Sequence, residues 1–478
     1  MLSPLDDFPI HQVPKPIATP ASTDRNAYGR YWFGAVRRDG SAMVEMAFGR
    51  YANLRVCDAS LSISVGDEQH SFHASREAPI DATDLTVGPF RLEITEPLRA
   101  LRITIDDNET GITADLEWRA RTGALEEDHT VMTDGPRVIV DMLRFVQFGT
   151  WAGWVTAAGA TTRFDHADTF GTRDRSWGIR PVGEPVGGRP GRGAANAWIW
   201  APIHFEQSCR IVGYFQRFGG AFWRADGHTI PVLDPVPATV DIDTPGVGRL
   251  DPVGQRFEFE PGTRWLRRGE IDVVDAAGVR GTMSFECLRR FDMRGIGYMN
   301  PDWGHGVWKG EQAVGAEHWR FADVSATDPT HQHVHNLVRA RFGDEEGVGF
   351  VEQINTIESA LEIIQKSGHP QATVIVDPFH NFRGGGSFAS LAKLKGDQIA
   401  ISHFNDSPGQ PAAHLQGDAD RVLPGDGVVD LRRYVALLKQ IDYNRFLSLE
   451  LFREDLWQRD PLDVARLGLE KMRAVCEG

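Results

Sequence analysis

Three residues, each closing a short apolar run, carry the chemistry of a metal centre: Asp377 in VIVDPFH, His403 in AISHFND and Glu450 in LSLELF. Two carboxylates and an imidazole suit a divalent ion such as Mn²⁺, Mg²⁺, Co²⁺ or Zn²⁺. Such an ion polarises a carbonyl, and a neighbouring carboxylate can then remove the proton on the adjacent carbon. One Asp, His or Glu at a strand end is an ordinary polar terminus, whereas three in phase on successive strands are more specific.

Two further groups lie upstream. In GTRDRSWGIRP, Asp174 and Trp177 offer a carboxylate and an indole, an acid/base and a ring platform for an apolar ligand. The structural alternative, preferred here, pairs Asp174 with Arg173 or Arg175 at a turn, above a buried Trp177. In HQHVH, His331, His333 and His335 alternate and so share one strand face. They could bind a metal with Asp302 or His305, but lining of a polar cavity is the preferred reading.

The elements that must position these groups follow two grammars. From about residue 28 to 350 the apolar residues alternate: Phe90, Leu92, Ile94, then Leu101, Ile103, Ile105, then Ile112, Ala114, Leu116, Trp118. Alternation predicts strands with one buried face, and turn signals such as DDNETG (106–111) and VGGRPGRG (187–193) separate them. Twelve of the 13 tryptophans precede residue 350, and interior packing in these β layers is the expected role of most of them. After about residue 353, Asn355 and Glu358 form a capping-box pair ahead of a helix ended by Gly368. The strand TVIVD follows, then a short helix at 388–395, the strand IAISHF, a helix begun by Asp430, the strand FLSLELF and a last helix over 461–475. Continuous apolar strands alternating with helices predict parallel βα units, whose strand C-termini open on one face.

The segments DPFH, HFND, RVLPGDG and LSLELF resemble the signatures of the xylose isomerase-like sugar isomerase/epimerase family, over roughly residues 354–478. The resemblance implies that Asp377, His403 and Glu450 hold a divalent metal. It makes Glu450 a catalytic carboxylate and has His380 and Arg421 hold oxygens of a sugar or keto-acid substrate. Pro424, Gly425 and Gly427 match the turn before the penultimate helix. As residues alone, His380 also reads as a strand-end histidine on a backbone carbonyl and Arg421 as a solvated loop charge. The family barrel needs eight strands and this segment supplies three, so it must pack on the N-terminal region, pair with another copy, or be unstable. The family's fourth ligand, a second catalytic carboxylate, falls in the missing part. Glu352, ending GVGFVEQ (347–353), is the candidate substitute, although the same run equally completes the N-terminal region.

Residues 28–350 resemble an uncharacterised bacterial group marked by GTRDRSWGIRP and YMNPDWGHGVWKGE, distantly similar to the hydroxyneurosporene synthase group of paired lipocalin-like β-barrels. The expected fold is therefore multi-domain: two mostly antiparallel, lipocalin-like barrels (1–182 and 183–352), then a partial α/β, TIM-barrel-derived segment (353–478). The leading function is a metal-dependent ketose or keto-acid isomerase/epimerase of weak or no activity. The alternative is a hydratase-like or non-catalytic protein whose barrels bind an apolar small molecule, with the C-terminal piece as a docking or oligomerisation element.

The chain length, 478 residues, allows two or three such units. The formal charge of −15, without a basic patch interleaved with aromatics, speaks against nucleic acid as a partner. No apolar run reaches the roughly 18–20 residues of a membrane span, and the N-terminus does not read as a signal peptide. Cys57, Cys209, Cys287 and Cys476 are too dispersed for a metal site or a disulfide framework, so a reducing, cytoplasmic setting is expected.

Overall fold

A computed structural model describes residues 4–7, 9–11, 13–184, 196–217, 222–260, 265–325, 328–354, 373–383, 388, 391, 394–411 and 416–477. The expected turn at 187–193, the Asn355/Glu358 capping pair with its helix to Gly368, and most of the short helix at 388–395 lie outside these residues.

The alternating N-terminal runs form strands as expected. Fifteen of them join in one sheet, with the order Gln312–Arg320, Glu68–Glu77, Val56–Val65, Ala42–Tyr51, Ala27–Arg37, Thr169–Ile179, Arg137–Ala157, Thr113–Ala120, Ala100–Ile105, Phe90–Glu96 and Thr86–Val87 along its main path. The last of these comes back against Val56–Val65 and Glu68–Glu77, so the sheet is curled nearly closed. Val44, Met46, Leu61 and Phe72 from one wall meet Leu92, Ile103, Leu116 and Trp118 from the other in its core. Burial of each such side chain contributes roughly 1.5–3 kcal/mol. Ile94 departs from the alternation and is exposed, because the pairing register with Ala100–Ile105 shifts between Glu93 and Glu96.

A second set of eight strands closes into a barrel: Asn196–His204, Ser208–Arg217, Phe222–Pro231, Gly248–Phe259, Leu266–Asp275, Arg280–Asp292, His333–Phe342 and Glu345–Ile354. Gln312–Arg320, although it falls within this stretch of sequence, pairs antiparallel with Glu68–Glu77 of the first sheet. Among the described residues from 80 to 350 the helical elements are 3-10 turns of three or four residues. The chain is thus mostly antiparallel β, in closed and nearly closed barrels. The two layers share a core in which Trp32, Val36, Met43 and Phe148 of the first sheet pack on Trp200, Ile211, Leu337 and Phe350 of the barrel.

The C-terminal grammar yields three parallel strands, Val374–Val376, Ile399–His403 and Leu447–Ser448, in that order. Helices Pro378–Arg383, Leu431–Gln440, Glu454–Trp457 and Pro461–Glu477 accompany them. Asp430 caps the second, its carboxylate accepting from the Arg433 N–H at 3.1 Å. The spacing of Leu431, Tyr434, Val435 and Leu438 puts all four on the face buried against Ile399, Phe404 and Leu394. This is a partial, TIM-barrel-like segment with three of the eight strands a full barrel uses. No helix among the described residues is long and apolar enough to cross a membrane.

Candidate functional site

Because the three C-terminal strands run parallel, Asp377, His403 and Glu450 emerge at one end of the sheet. The His403 Nδ1 lies 3.2 Å from Asp377 Oδ2 and 3.1 Å from Glu450 Oε2. Donors around an ion bound at ~2.0–2.2 Å stand about 3.0–3.5 Å apart, so this spacing fits a divalent cation. Among the described residues this donor group comprises these three.

Arg421, 1% exposed, closes the back of the site. Its guanidinium reaches Glu450 Oε2 at 3.4 Å, Asp377 Oδ2 at 3.7 Å and Asp418 Oδ1 at 2.9 Å, and donates to His380 Nε2 at 2.8 Å. The rings of Phe379 and Phe452 lie at 4.8 and 5.0 Å from it. Its Nε–H is buried without a hydrogen-bond partner. Arg421 is therefore a fixed, buried cation, and the solvated-loop reading fails. His380 sits on the short helix after the first strand, where its own N–H donates to Asp377 Oδ1 at 3.1 Å while its ring is half exposed. Burial alone would raise the Asp377 carboxyl. The His380 N–H, the Asn405 amide and the charges of His380 and Arg421 outweigh it and hold the carboxyl below its ordinary value.

Sequence reasoning passed over two residues in HFND. Asn405 donates to Asp377 Oδ2 at 3.2 Å and to the Glu450 carbonyl at 3.4 Å, and accepts from the Phe379 N–H at 3.2 Å, tying all three strand ends together. Asp406 accepts the backbone N–H groups of Ser407, Gly425, Gly427 and Val429, which ties the PGDG turn to the sheet. A Cβ on Gly427 would stand 2.2 Å from the Ser407 carbonyl oxygen, and Gly425 has φ +87°, so this turn needs glycine at both positions. The available signal was position: the amide and the acid lie two and three residues beyond His403 at the strand end.

Glu352 does not join this group. It lies on Glu345–Ile354, a full member of the closed barrel paired with Asn196–His204 and His333–Phe342. There it stands directly opposite His335 and meets other partners. Its Oε1 is 2.6 Å from His333 Nε2 and 3.7 Å from His335 Nε2, and its Oε2 accepts from the Trp198 indole at 2.8 Å. Burial would raise the carboxyl, but the two imidazoles outweigh it and hold it well below its ordinary value. His331 is separated from the other two histidines: it precedes the strand and bonds Asp292 at 2.5 Å. His333 and His335 share the strand face of Leu337, which packs on the first sheet, so the histidines line the junction of sheet and barrel. Of the partners considered for them, Asp302 is exposed, and His305 bonds the Ile296 carbonyl and Arg180.

Asp174 is a strand residue directly opposite Trp32 and faces the same junction. Burial, with the negative charge of Glu352 adding to it, raises its carboxyl above the ordinary value against the pull of Arg144, Arg180 and Arg30. Arg173 instead donates to Gln147, and the Arg175 guanidinium lies over Tyr31. Trp177 is not buried beneath Asp174: three residues on, it falls on the opposite face, beside Arg175, and is 38% exposed.

The fold is that of a double β-layer protein followed by a partial, TIM-barrel-like α/β segment. The chain belongs to the family of unknown function DUF8625, which matches residues 2–360, and residues 344–475 match the xylose isomerase-like TIM barrel family. The two matches overlap at 344–360, the stretch of the GVGFVEQ run. The C-terminal segment is 33% identical over 122 residues to an inosose isomerase of Bacillus velezensis, covering 26% of this chain and 43% of that protein. The chain therefore spans less than half of that relative. A solved structure of the IolI protein with a bound zinc atom aligns with 26% of this chain and 44% of its own at 29% identity and a TM-score of 0.24. Kievitone hydratase from Nectria haematococca aligns with 69% of this chain and 90% of its own at 12% identity and a TM-score of 0.40.

Proposed function

We infer that the C-terminal segment is a metal-dependent isomerase or epimerase site for a ketose or keto-acid, slowed by its missing strands. The observation that supports this reading is the approach of the Asp377 and Glu450 carboxylates to the His403 imidazole at 3.2 and 3.1 Å, in front of a buried arginine. A divalent ion such as Mn²⁺, Mg²⁺, Co²⁺ or Zn²⁺, when held there, polarises a carbonyl and its neighbouring hydroxyl. Glu450 is the base: it takes the proton from the carbon beside the carbonyl, and the C–H electron pair moves toward the carbonyl carbon while the C=O pair moves onto oxygen. Arg421, 3.4 Å from Glu450 Oε2, fixes the position of that carboxylate, and His380, half exposed and bonded to Arg421, holds a substrate oxygen at the mouth.

Returning the proton on another carbon or the other face calls for a second acid, and Glu352 is committed elsewhere. Each positioned acid/base group contributes typically 10²–10⁴-fold, so turnover is weak, or a second copy of the chain supplies the missing wall. The four cysteines are unpaired, which supports a reducing, cytoplasmic setting. The deciding experiment is turnover of a ketose panel and of hydroxypyruvate with added Mn²⁺. Activity that falls in Glu450→Gln and survives in Glu352→Gln is expected; activity indifferent to Glu450→Gln sinks the assignment.

A further inference from the structure

We propose that His333, His335 and Glu352 form a second, independent site for a divalent transition-metal ion, in the wall between the first sheet and the barrel. Two imidazoles and one carboxylate are a donor set for Zn²⁺, Fe²⁺ or Co²⁺ rather than for Mg²⁺ or Ca²⁺, which prefer oxygen alone. All three side chains are buried, and one donor atom from each lies within 4.8 Å of the others. The separations of 2.6 Å (His333 Nε2 to Glu352 Oε1) and 3.7 Å (His335 Nε2 to Glu352 Oε1) bracket the roughly 3.0–3.5 Å of a shared coordination sphere. A shift of Glu352 by about half an ångström away from His333 and toward His335 equalises them.

Two independent observations point to an ion. The Nε2 of His335, on a side chain 2% exposed, has no hydrogen-bond partner, although a buried polar atom left unpaired costs about 1–3 kcal/mol. It is aimed at Glu352 by its other nitrogen: Nδ1 lies 2.6 Å from Glu45 Oε1, and the second oxygen of Glu45 accepts from the Trp32 indole at 2.9 Å. A carboxylate on the far nitrogen of a histidine, itself anchored, is the arrangement that orients metal-binding histidines. The Trp198 indole anchors Glu352 in the same way. Glu45 and Trp32 come from the first sheet and the three donors from the barrel, so the site is oriented by a hydrogen bond that crosses between the two layers. Three protein donors leave a further coordination position, which suits water or a small oxygen ligand.

The test uses the full chain, stripped with chelator and titrated with Co²⁺, whose visible absorption reports coordination. In the Asp377→Asn/Glu450→Gln background the C-terminal site is disabled, so one Co²⁺ per chain with an X-ray absorption signature of two imidazoles is the expected result. His333→Gln/His335→Gln in that background abolishes it. Glu45→Gln, which keeps the side-chain volume, weakens it by about 10–100-fold. No Co²⁺ bound at micromolar concentration in the background variant, or binding that all these substitutions leave unchanged, overturns the proposal and reduces the cluster to a buried ion pair. Failure of the isomerase assay would leave this result untouched.

Discussion

Two of the three three-donor groups among the described residues are built in opposite ways. Asp377, His403 and Glu450 sit at the ends of parallel strands, with His403 and Glu450 partly open to solvent, and their local backbone is held by short-range partners such as Asn405 and Asp406. His333, His335 and Glu352 sit on two adjacent antiparallel strands, fully buried, and are fixed from a different sheet by Glu45, 290 residues away from His335 in sequence. The first arrangement places reactive groups where substrate can arrive. The second places them where their environment is most fully determined and where access is narrow. An open strand-end arrangement lends itself to turnover, whereas a buried wall arrangement lends itself to tight retention of an ion.

The largest expected contrast is catalytic. Glu450→Gln should lower any ketose or keto-acid turnover by 10²–10⁴-fold, about 2.7–5.5 kcal/mol in the barrier, while leaving unfolding midpoints in place. If Glu352→Gln lowered turnover as much, the division between the two sites would collapse.

Stability draws the same line. Phe350, fully buried, packs edge-on against Trp32 at 5.6 Å between ring centres and lies beside His335. Phe350→Ala should cost about 3–5 kcal/mol and alter tryptophan fluorescence, since twelve of the 13 tryptophans belong to the β layers. The equivalent Phe404→Ala, behind His403 in the C-terminal core, should be read instead in the helical circular dichroism band, with little change in fluorescence. A fluorescence change of equal size in both variants would mean that the two regions unfold as one.

The strand-end group was legible because parallel βα units repeat one relation: each donor closes its own apolar run, and topology does the rest. Asp430 as a cap and the Leu431, Tyr434, Val435, Leu438 face were legible for the same local reason. The wall site was not, because it depends on pairing. HQHVH put His333 and His335 on one face, but only the register of His335 opposite Glu352 shows what that face meets, and nothing near Glu45 advertises its role. The run GVGFVEQ reads equally as the end of one region or the start of the next; its pairing with Asn196–His204 decides for the barrel. The opposite facing of Asp174 and Trp177 follows from their odd separation once both lie on one strand rather than at a turn.

A smaller effect tests how the strand Gln312–Arg320 is held on the first sheet. Glu317 there contacts His73 at 3.0 Å and Arg294 at 2.6 Å. Burial opposes ionisation, but these partners prevail and hold the carboxyl at about 2. A carboxyl whose folded value lies below its unfolded one contributes stability that is present above pH ~4.5 and lost as pH falls toward ~2. The contribution is on the order of 3 kcal/mol. Urea midpoints should therefore drop between pH 5 and pH 2.5 in the native chain by more than in Glu317→Gln, and equal slopes would show that the cluster does not act as described.

The smallest expected effect isolates the C-terminal segment. The Asp430 carboxylate satisfies one of the free N–H groups that open the helix Leu431–Gln440, and loss of such a cap costs about 1 kcal/mol. That helix supplies Tyr434, whose hydroxyl meets the Ser402 hydroxyl at 2.7 Å on the strand that ends in His403. Asp430→Ala should therefore loosen the backing of His403 and weaken metal binding at the strand ends slightly. It should leave the tryptophan fluorescence transition and any Co²⁺ held by His333 and His335 unchanged. Asp430→Asn, which keeps the capping oxygen, should restore both helix content and metal affinity. A loss that Asn fails to restore would trace the effect to charge at the site rather than to the cap, and would tie the strand-end donors to the helix by electrostatics instead of by packing.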